Sequence, residues 1–171
     1  MEQNTHQRIA KKIEVAANLG IVVVALLAAG FFAKSYFARS PEPRQTISIG
    51  SKLAIKGVDW GSRRATLVLA LSTNCRFCTE SAPFYRELTK EAKEKQVHTI
   101  AIFPQSVQDA SAYLKNEGLE VDEIRQTPLS AIQVSGTPTL LLIDPTGTVQ
   151  GVWIGKLLAE KEKDVRAKLA S

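Results

Sequence analysis

The rhythm of hydrophobic and polar positions changes twice along the chain. From Val15 to Ala33 (VAANLGIVVVALLAAGFFA), 19 positions carry no charge, and Asn18 is the one mid-polar residue among them. A helix of that length spans about 28 Å at roughly 1.5 Å per residue, close to a bilayer core. It is apolar on every side, unlike an amphipathic surface helix. The pattern predicts an uncleaved transmembrane anchor over 15–35, behind an N-terminal segment, 1–14. Two alternatives stay open: a cleaved signal, with a weak small-x-small site at Ala33-Lys34-Ser35, and a buried core helix. The alternating prolines of Ser40-Pro41-Glu42-Pro43 then stiffen a linker, 36–45. The remainder, 46–171, has the length of one domain.

Within that domain the apolar period alternates between strand and helix. Ile47 to Trp60 is extended and turn-rich, with Gly50 and Gly57. Thr66 to Leu71 (TLVLAL) is a continuous apolar run, as a buried central strand shows. Cys75 to about Lys95 reads as a helix with Phe84, Leu88 and Ala92 on one face beside Tyr85 and Phe77, and Arg86, Lys90 and Glu94 turned away. Val97 to Phe103 is a second strand. Ser106 with Asp109 three residues on has the pattern of a capping box opening a helix that Gly118 ends. Asp122 to Val134 reads as irregular or briefly helical. Thr139 to Ile143 and Val149 to Ile154 are strands joined by the turn Asp144-Pro145-Thr146-Gly147. Leu157 to Ala170 is a charged terminal helix expected to bury Leu158, Val165 and Leu169. The order predicts an α/β fold, a mixed sheet flanked by helices.

Composition changes little in this picture. The chain is 44% hydrophobic and 23% charged, as a globular protein is. Its net charge of +5 is not gathered into a basic stripe with interleaved aromatics, so a solvated surface is preferred to nucleic-acid binding. The flanks of the apolar run carry Arg8, Lys11 and Lys12 on one side and Lys34, Arg39 and Arg44 on the other, so positive charge does not orient it.

The two cysteines change the picture more. Cys75 and Cys78 are the only ones in the sequence, three positions apart at the start of a helix. Asn74 is a favoured N-cap residue and would place Cys75 at the first helical position, where free amides and the helix dipole favour a thiolate. Arg76 adds positive charge in the same direction. Cys78 lies one turn deeper on the same face and can attack a mixed disulfide formed at Cys75. Other readings stand beside this one. So short a disulfide loop contributes little to stability. Zinc needs about four ligands, while His6 precedes the apolar run and His98 stands alone on a strand. A c-type haem would need histidine where Thr79 stands. Two unrelated buried cysteines remain an option.

With these residues in place the domain resembles the thioredoxin fold, and more narrowly the membrane-tethered redoxins of the TlpA-like type. Cys75-Arg76-Phe77-Cys78 follows an apolar strand. Pro83 lies where thioredoxin-like active-site helices carry a kinking proline. Ser135-Gly136-Thr137-Pro138-Thr139 precedes a strand and resembles the family's cis-proline loop. The interval from Cys75 to Pro138 is longer than in plain thioredoxins and suits redoxins with an insert there. Leu69 departs from the family, since thioredoxin has a buried acid at that position; Glu80 is the residue near the pair that could substitute, although solvation is the commoner fate of a helical glutamate.

The resemblance implies a thiol-disulfide oxidoreductase in which Cys75 attacks, Cys78 resolves, and Thr137, Pro138 and Phe77 shape the substrate site, while Asn74, Arg76 and Glu80 tune the thiols. It implies no cofactor or metal beyond the redox-active Cys75–Cys78 disulfide. The implied partners are exported protein thiols or disulfides, with an upstream membrane electron donor as a further candidate. It also implies a monomer held in the bacterial cytoplasmic membrane, with 1–14 in the cytoplasm and the catalytic domain outside. Two alternatives stay open. Peroxiredoxins carry a hydroxyl three positions before the reactive cysteine, as Ser72 does, but Val68 stands where their proline would be. A redox-inert adaptor of the same fold is the other.

Overall fold

The computed structural model describes residues 46–170, together with Gly20, Val22, residues 24–31 and Lys34. The chain divides into two units, Met1–Pro43 and Arg44–Ser171, which are treated separately. The described residues of the first unit are helical. Among the described residues no helix is long and apolar enough to cross a membrane. About half of the predicted anchor, 15–35, is among the described residues, and the linker, 36–45, lies outside them.

The second unit is built on a five-stranded sheet. Its strands are β1 (Thr66–Ala70), β2 (His98–Phe103), β3 (Glu123–Gln126), β4 (Thr139–Ile143) and β5 (Val149–Ile154), in the spatial order β3-β2-β1-β4-β5. β1 is parallel to β2, and β2 to β3, whereas β4 runs antiparallel to both β1 and β5. The helices are α1 (Arg76–Glu94), α2 (Val107–Asn116) and α3 (Ala159–Ala170). The crossovers β1-α1-β2 and β2-α2-β3 step in the same direction across the sheet. With right-handed connections both helices must then pack on the same face.

Strand alternation explains the two cores. Leu67, Leu69 and Leu71 of the β1 segment point to the helical face and meet Tyr85 and Leu88 of α1, Tyr113 of α2 and Val165 and Leu169 of α3 in one cluster. Val68 and Ala70 point the other way, into a cluster with Ile100, Ile102, Leu141 and Ile143 that is closed by Ile47, Leu53, Ile55, Ile132 and Val134. Each large aliphatic side chain buried in this way stabilises the fold by about 1.5–3 kcal/mol. The β4–β5 hairpin adds a close approach. The Trp153 indole lies where a Cβ at Gly151 would stand, at 2.3 Å, and Trp153 Nε1 donates to Asp164 on α3 at 2.8 Å.

Four expectations are corrected. Within Asp122–Val134 the chain forms the edge strand β3 and a 3₁₀ turn, Leu129–Ile132. β3 has the polar sequence EIRQ, so pairing with β2, and not an apolar run, makes it a strand. The terminal helix starts at Ala159, and Leu158 is 79% exposed. The Leu158 carbonyl accepts from the Lys161 and Glu162 amides, so Leu158 flanks the helix and leaves its buried stripe, while Leu157 packs on the core. Phe77 is 54% exposed and does not join the buried face of α1. His98 does not stand alone: Asp122 and Glu123 lie at 3.4 and 3.7 Å.

Candidate active site

The site forms where β1 ends. Leu71 is still held to β2 by its amide, which donates to the Ile102 carbonyl at 2.9 Å. Ser72 to Asn74 then turn the chain, and the Cys75 amide donates to the Ser72 carbonyl at 3.2 Å. The expected N-cap, Asn74, is displaced by one residue. Cys75 itself is extended, with φ −101° and ψ 104°, and its carbonyl accepts from the Cys78 and Thr79 amides at 3.0 and 3.3 Å. That is the defining position of an N-cap. The three-residue turn consumes Asn74, whose amide donates to the Ser72 hydroxyl at 3.4 Å. The cap side chain is therefore a sulfur: Cys75 Sγ accepts from the Cys78 amide at 3.1 Å.

Cys75 and Cys78 are joined as a disulfide with their Cα atoms 5.2 Å apart. They are not equivalent. Cys75 is half-buried, and Cys78 is fully enclosed in the helical-face core. A partner reaching the pair from solvent meets Cys75 first. When the bond is broken, a thiolate on Cys75 sits against the first-turn amides of α1, which favour the charged form.

The charges beside the pair differ from expectation. Arg76, with its side chain 87% exposed, places Nε 2.7 Å from Glu80 Oε1. Lys156, just past β5, places Nζ 2.8 Å from Glu80 Oε2. The Lys156 and then the Arg76 hydrogen bonds hold the Glu80 carboxyl below its ordinary value. Glu80 is thus bound to two cations and is a poor proton acceptor, so it does not replace a buried acid. Leu69, at the position where one would stand, is fully buried among hydrocarbon. Arg76 shares its charge with Glu80 and biases Cys75 less than its position in the sequence suggests.

The third wall comes from β4. Ala70 pairs with Thr139, which sets Pro138 at the end of β1 from which the cysteine segment departs. The Thr137–Pro138 peptide is cis. Pro138 is buried and Thr137 half-exposed. The Gly155 amide donates to the Pro138 carbonyl at 2.7 Å, and the Thr139 hydroxyl donates to the Gly136 carbonyl at 2.8 Å. Exposed Phe77 lies two residues from Cys75 on the solvent side. Glu80 and Lys156 therefore tie α1 to the segment that supports the Pro138 loop.

Sequence reasoning missed Lys156 and Gln105. Gln105 Nε2 donates to the Ser72 hydroxyl at 2.9 Å and its Oε1 accepts from the Thr73 amide at 3.4 Å, clamping the turn before Cys75. Neither residue belongs to a periodic pattern, and their contacts span the chain from Glu80 to Lys156 and from Ser72 to Gln105. Among the described residues no group of three or more His, Cys, Asp and Glu could hold a metal ion.

No protein-family model matches the chain, and no curated protein matches it. Solved structures do. A protein of Chlorobium tepidum, provisionally named a thiol:disulfide interchange protein DsbE, is 20% identical with a TM-score of 0.58, over 74% of this chain and 100% of that one. The thioredoxin domain of a thiol-disulfide oxidoreductase from Bacteroides vulgatus is 15% identical with a TM-score of 0.56, over 74% of this chain and 100% of that one. A peroxidoxin, BcpB, from Mycobacterium tuberculosis is 17% identical with a TM-score of 0.56, over 72% of this chain and 96% of that one. The chain has the thioredoxin-like fold, with a C-x-x-C pair at the end of its first strand.

Proposed function

We propose that this chain is a membrane-anchored thiol-disulfide oxidoreductase that exchanges disulfides with exported protein thiols through Cys75 and Cys78. The observation that carries the reading is the Cys78 amide directed at the half-exposed Cys75 sulfur at 3.1 Å, with its disulfide partner sealed in the core. In the reducing direction the Cys75 thiolate attacks one sulfur of a partner disulfide. The partner's S–S bond breaks, and its departing sulfur leaves as a thiolate that takes a proton. Cys78 then loses its proton and its sulfur attacks Cys75 Sγ. The bond between Cys75 and the partner breaks, the second partner sulfur takes a proton, and the Cys75–Cys78 disulfide forms. Two electrons pass from the pair to the partner, and the oxidising direction is the reverse. In this reading Thr137, Pro138 and Phe77 form the surface on which the partner chain lies.

The uncharged stretch Val15–Ala33 supports the anchor. A pair that must cycle through a disulfide suits an oxidising compartment, which supports 1–14 in the cytoplasm and 46–171 outside it. Alkaline phosphatase fused after Ser171 is then active, because it folds only where its own disulfides form; an inactive fusion places the domain in the cytoplasm. The Cys78→Ser variant tests the chemistry. It accumulates a mixed disulfide through Cys75 that reducing gels resolve, and absence of any trapped partner, with full complementation by the doubly substituted chain, marks a redox-inert adaptor.

The second reading, a thiol peroxidase, is favoured by the peroxidoxin neighbour and by Ser72, whose hydroxyl lies in the turn before Cys75. A peroxidase that uses Cys75 alone continues to consume peroxide as Cys78→Ser when an external thiol is supplied. The oxidoreductase reading predicts that it does not.

A further inference from the structure

The helical-face core holds two polar atoms that the exchange reaction, as written, does not use. Ser81 and Tyr85 stand on the buried face of α1, three and seven residues after Cys78, at 6% and 1% exposure. Neither the Ser81 hydroxyl nor the Tyr85 hydroxyl makes a hydrogen bond of good geometry. Burial pushes the Tyr85 phenol up to about 12, offset in part by the neighbouring Ser81 hydroxyl. The two groups are therefore adjacent and close enough to interact, yet make no well-formed hydrogen bond, in a layer otherwise lined by Leu67, Leu69, Leu71, Ala82 and Leu88. An unmet buried hydroxyl costs about 1–3 kcal/mol, and a redox or catalytic role is one reason a protein keeps such a group.

The nearest group that changes its hydrogen-bonding need during the reaction is Cys78. In the disulfide its sulfur is held toward Cys75 and needs no donor. Once the bond opens, the sulfur is a thiol that must become a thiolate inside a hydrocarbon layer, which opposes the charge. Positions three apart on a helix are neighbours, with Cβ atoms about 5–6 Å apart. A freed Cys78 sulfur and a rotated Ser81 hydroxyl therefore come within donor reach.

We propose that Ser81 is the donor to the Cys78 thiolate in the reduced protein and the mixed disulfide, and that Tyr85 donates to Ser81 to orient it. The proposal rests on the oxidoreductase reading only for its use in turnover. In the resolving step the Cys78 proton ends on the leaving partner sulfur, which until then is bonded to Cys75, the residue whose sulfur Cys78 attacks. The Ser81 O–H and Tyr85 O–H bonds stay intact and stabilise the charge without accepting it. The orphaned hydroxyls are thus a feature of the oxidised state that reduction satisfies.

The test reads the Cys78 thiol without any substrate. In full-length Cys75→Ser, Cys78 is the sole thiol, and its thiolate absorbance is titrated against pH with the Cys75→Ser, Cys78→Ser chain subtracted. Adding Ser81→Ala is expected to raise the Cys78 midpoint by about one pH unit, about ten-fold less thiolate at a given pH, as loss of a hydrogen bond to a charged group implies. Ser81→Thr, which keeps the hydroxyl, is expected to restore the midpoint to within about 0.3 unit. Tyr85→Phe is expected to raise it by a smaller amount. An unchanged midpoint in Ser81→Ala, whatever happens to the melting temperature, overturns the proposal and leaves the hydroxyl a structural group. If Ser81→Ala does not fold, Tyr85→Phe decides: a raised midpoint supports the relay and an unchanged one overturns it. Failure of the oxidoreductase reading shows separately, as absence of partner trapping by Cys78→Ser.

Discussion

Helices α1 and α2 both begin where a parallel strand ends, at the same end of the sheet, and they begin differently. At α2 the Ser106 hydroxyl accepts the Asp109 amide at 3.1 Å and donates to the Asp109 carboxylate at 2.6 Å. At α1 there is no acid in the first turn, and the side chain that receives an amide is the sulfur of Cys75. Sulfur is a weak acceptor beside a hydroxyl or a carboxylate. The α2 terminus is built to hold a helix in place. The α1 terminus keeps its amides directed at an atom that carries charge only when the disulfide opens, and it gives up a stronger cap to do so. On the proposed function, the same backbone feature serves stability in one helix and chemistry in the other.

Replacing the two cap residues separates these roles most sharply. Cys75→Ser puts a favoured cap in place of the sulfur, so disulfide exchange falls to the uncatalysed background. Its unfolding free energy should stay within about 1 kcal/mol of the reduced parent, as denaturant melts under reducing conditions would read. Ser106→Ala does the reverse. It costs about 1 kcal/mol, a fall of about 4 °C in melting temperature, while the exchange rate stays within about two-fold of the parent.

Smaller effects test the charges around the α1 terminus. Glu80→Gln frees Arg76 and Lys156 and removes a negative charge, so the Cys75 thiol should fall by about half a unit, measured as the pH dependence of alkylation. Acid should act on the same bridge. Lys156 and Arg76 hold Glu80 below its ordinary value of 4.5, so its stabilising contribution is fully present above that pH and is lost as pH falls through the lowered value; a carboxyl NMR titration of Glu80 reads this directly. The smallest effect belongs to Asn74. Its side chain caps nothing, so Asn74→Ala should change stability by less than about 0.5 kcal/mol and leave the Cys75 thiol where it is.

The same contrast explains what the sequence made legible. Ser106 and Asp109 form a local pattern whose partners are three residues apart, and the structure forms the Ser106 cap it predicts, although the Asp109 carboxylate takes the Ser106 hydroxyl and not the Ser106 amide of a full box. The strands Thr66–Ala70, Thr139–Ile143 and Val149–Ile154 were readable because burial on both faces, or alternation across a hairpin, writes itself into consecutive residues. Asn74 misled because propensity ranks it above cysteine as a cap, and propensity does not count the three residues the chain needs to turn out of β1. Glu123–Gln126 carries no strand pattern, since its structure comes from the exposed edge of β2. Leu158 has the helical spacing to Val165 but lies outside the helix that would have given that spacing meaning. The clamp of Glu80 by Lys156, and of Ser72 by Gln105, joins polar residues far apart in the chain and has no periodic trace. The cysteine spacing showed which two residues form the pair, and tertiary structure supplied the enclosure that makes one of them accessible and the other buried.

On the proposed function, the α1 terminus makes Cys75 the attacking thiolate and keeps Cys78 in reserve. Alkylating the fully reduced full-length chain with iodoacetamide across pH, followed by peptide mapping, measures both thiols in one experiment. The account predicts that Cys75 is modified with a midpoint below the free-thiol value of about 8.5 and that Cys78 stays largely unmodified at neutral pH. Preferential modification of Cys78, or a Cys75 midpoint at or above that of a free thiol, would contradict it.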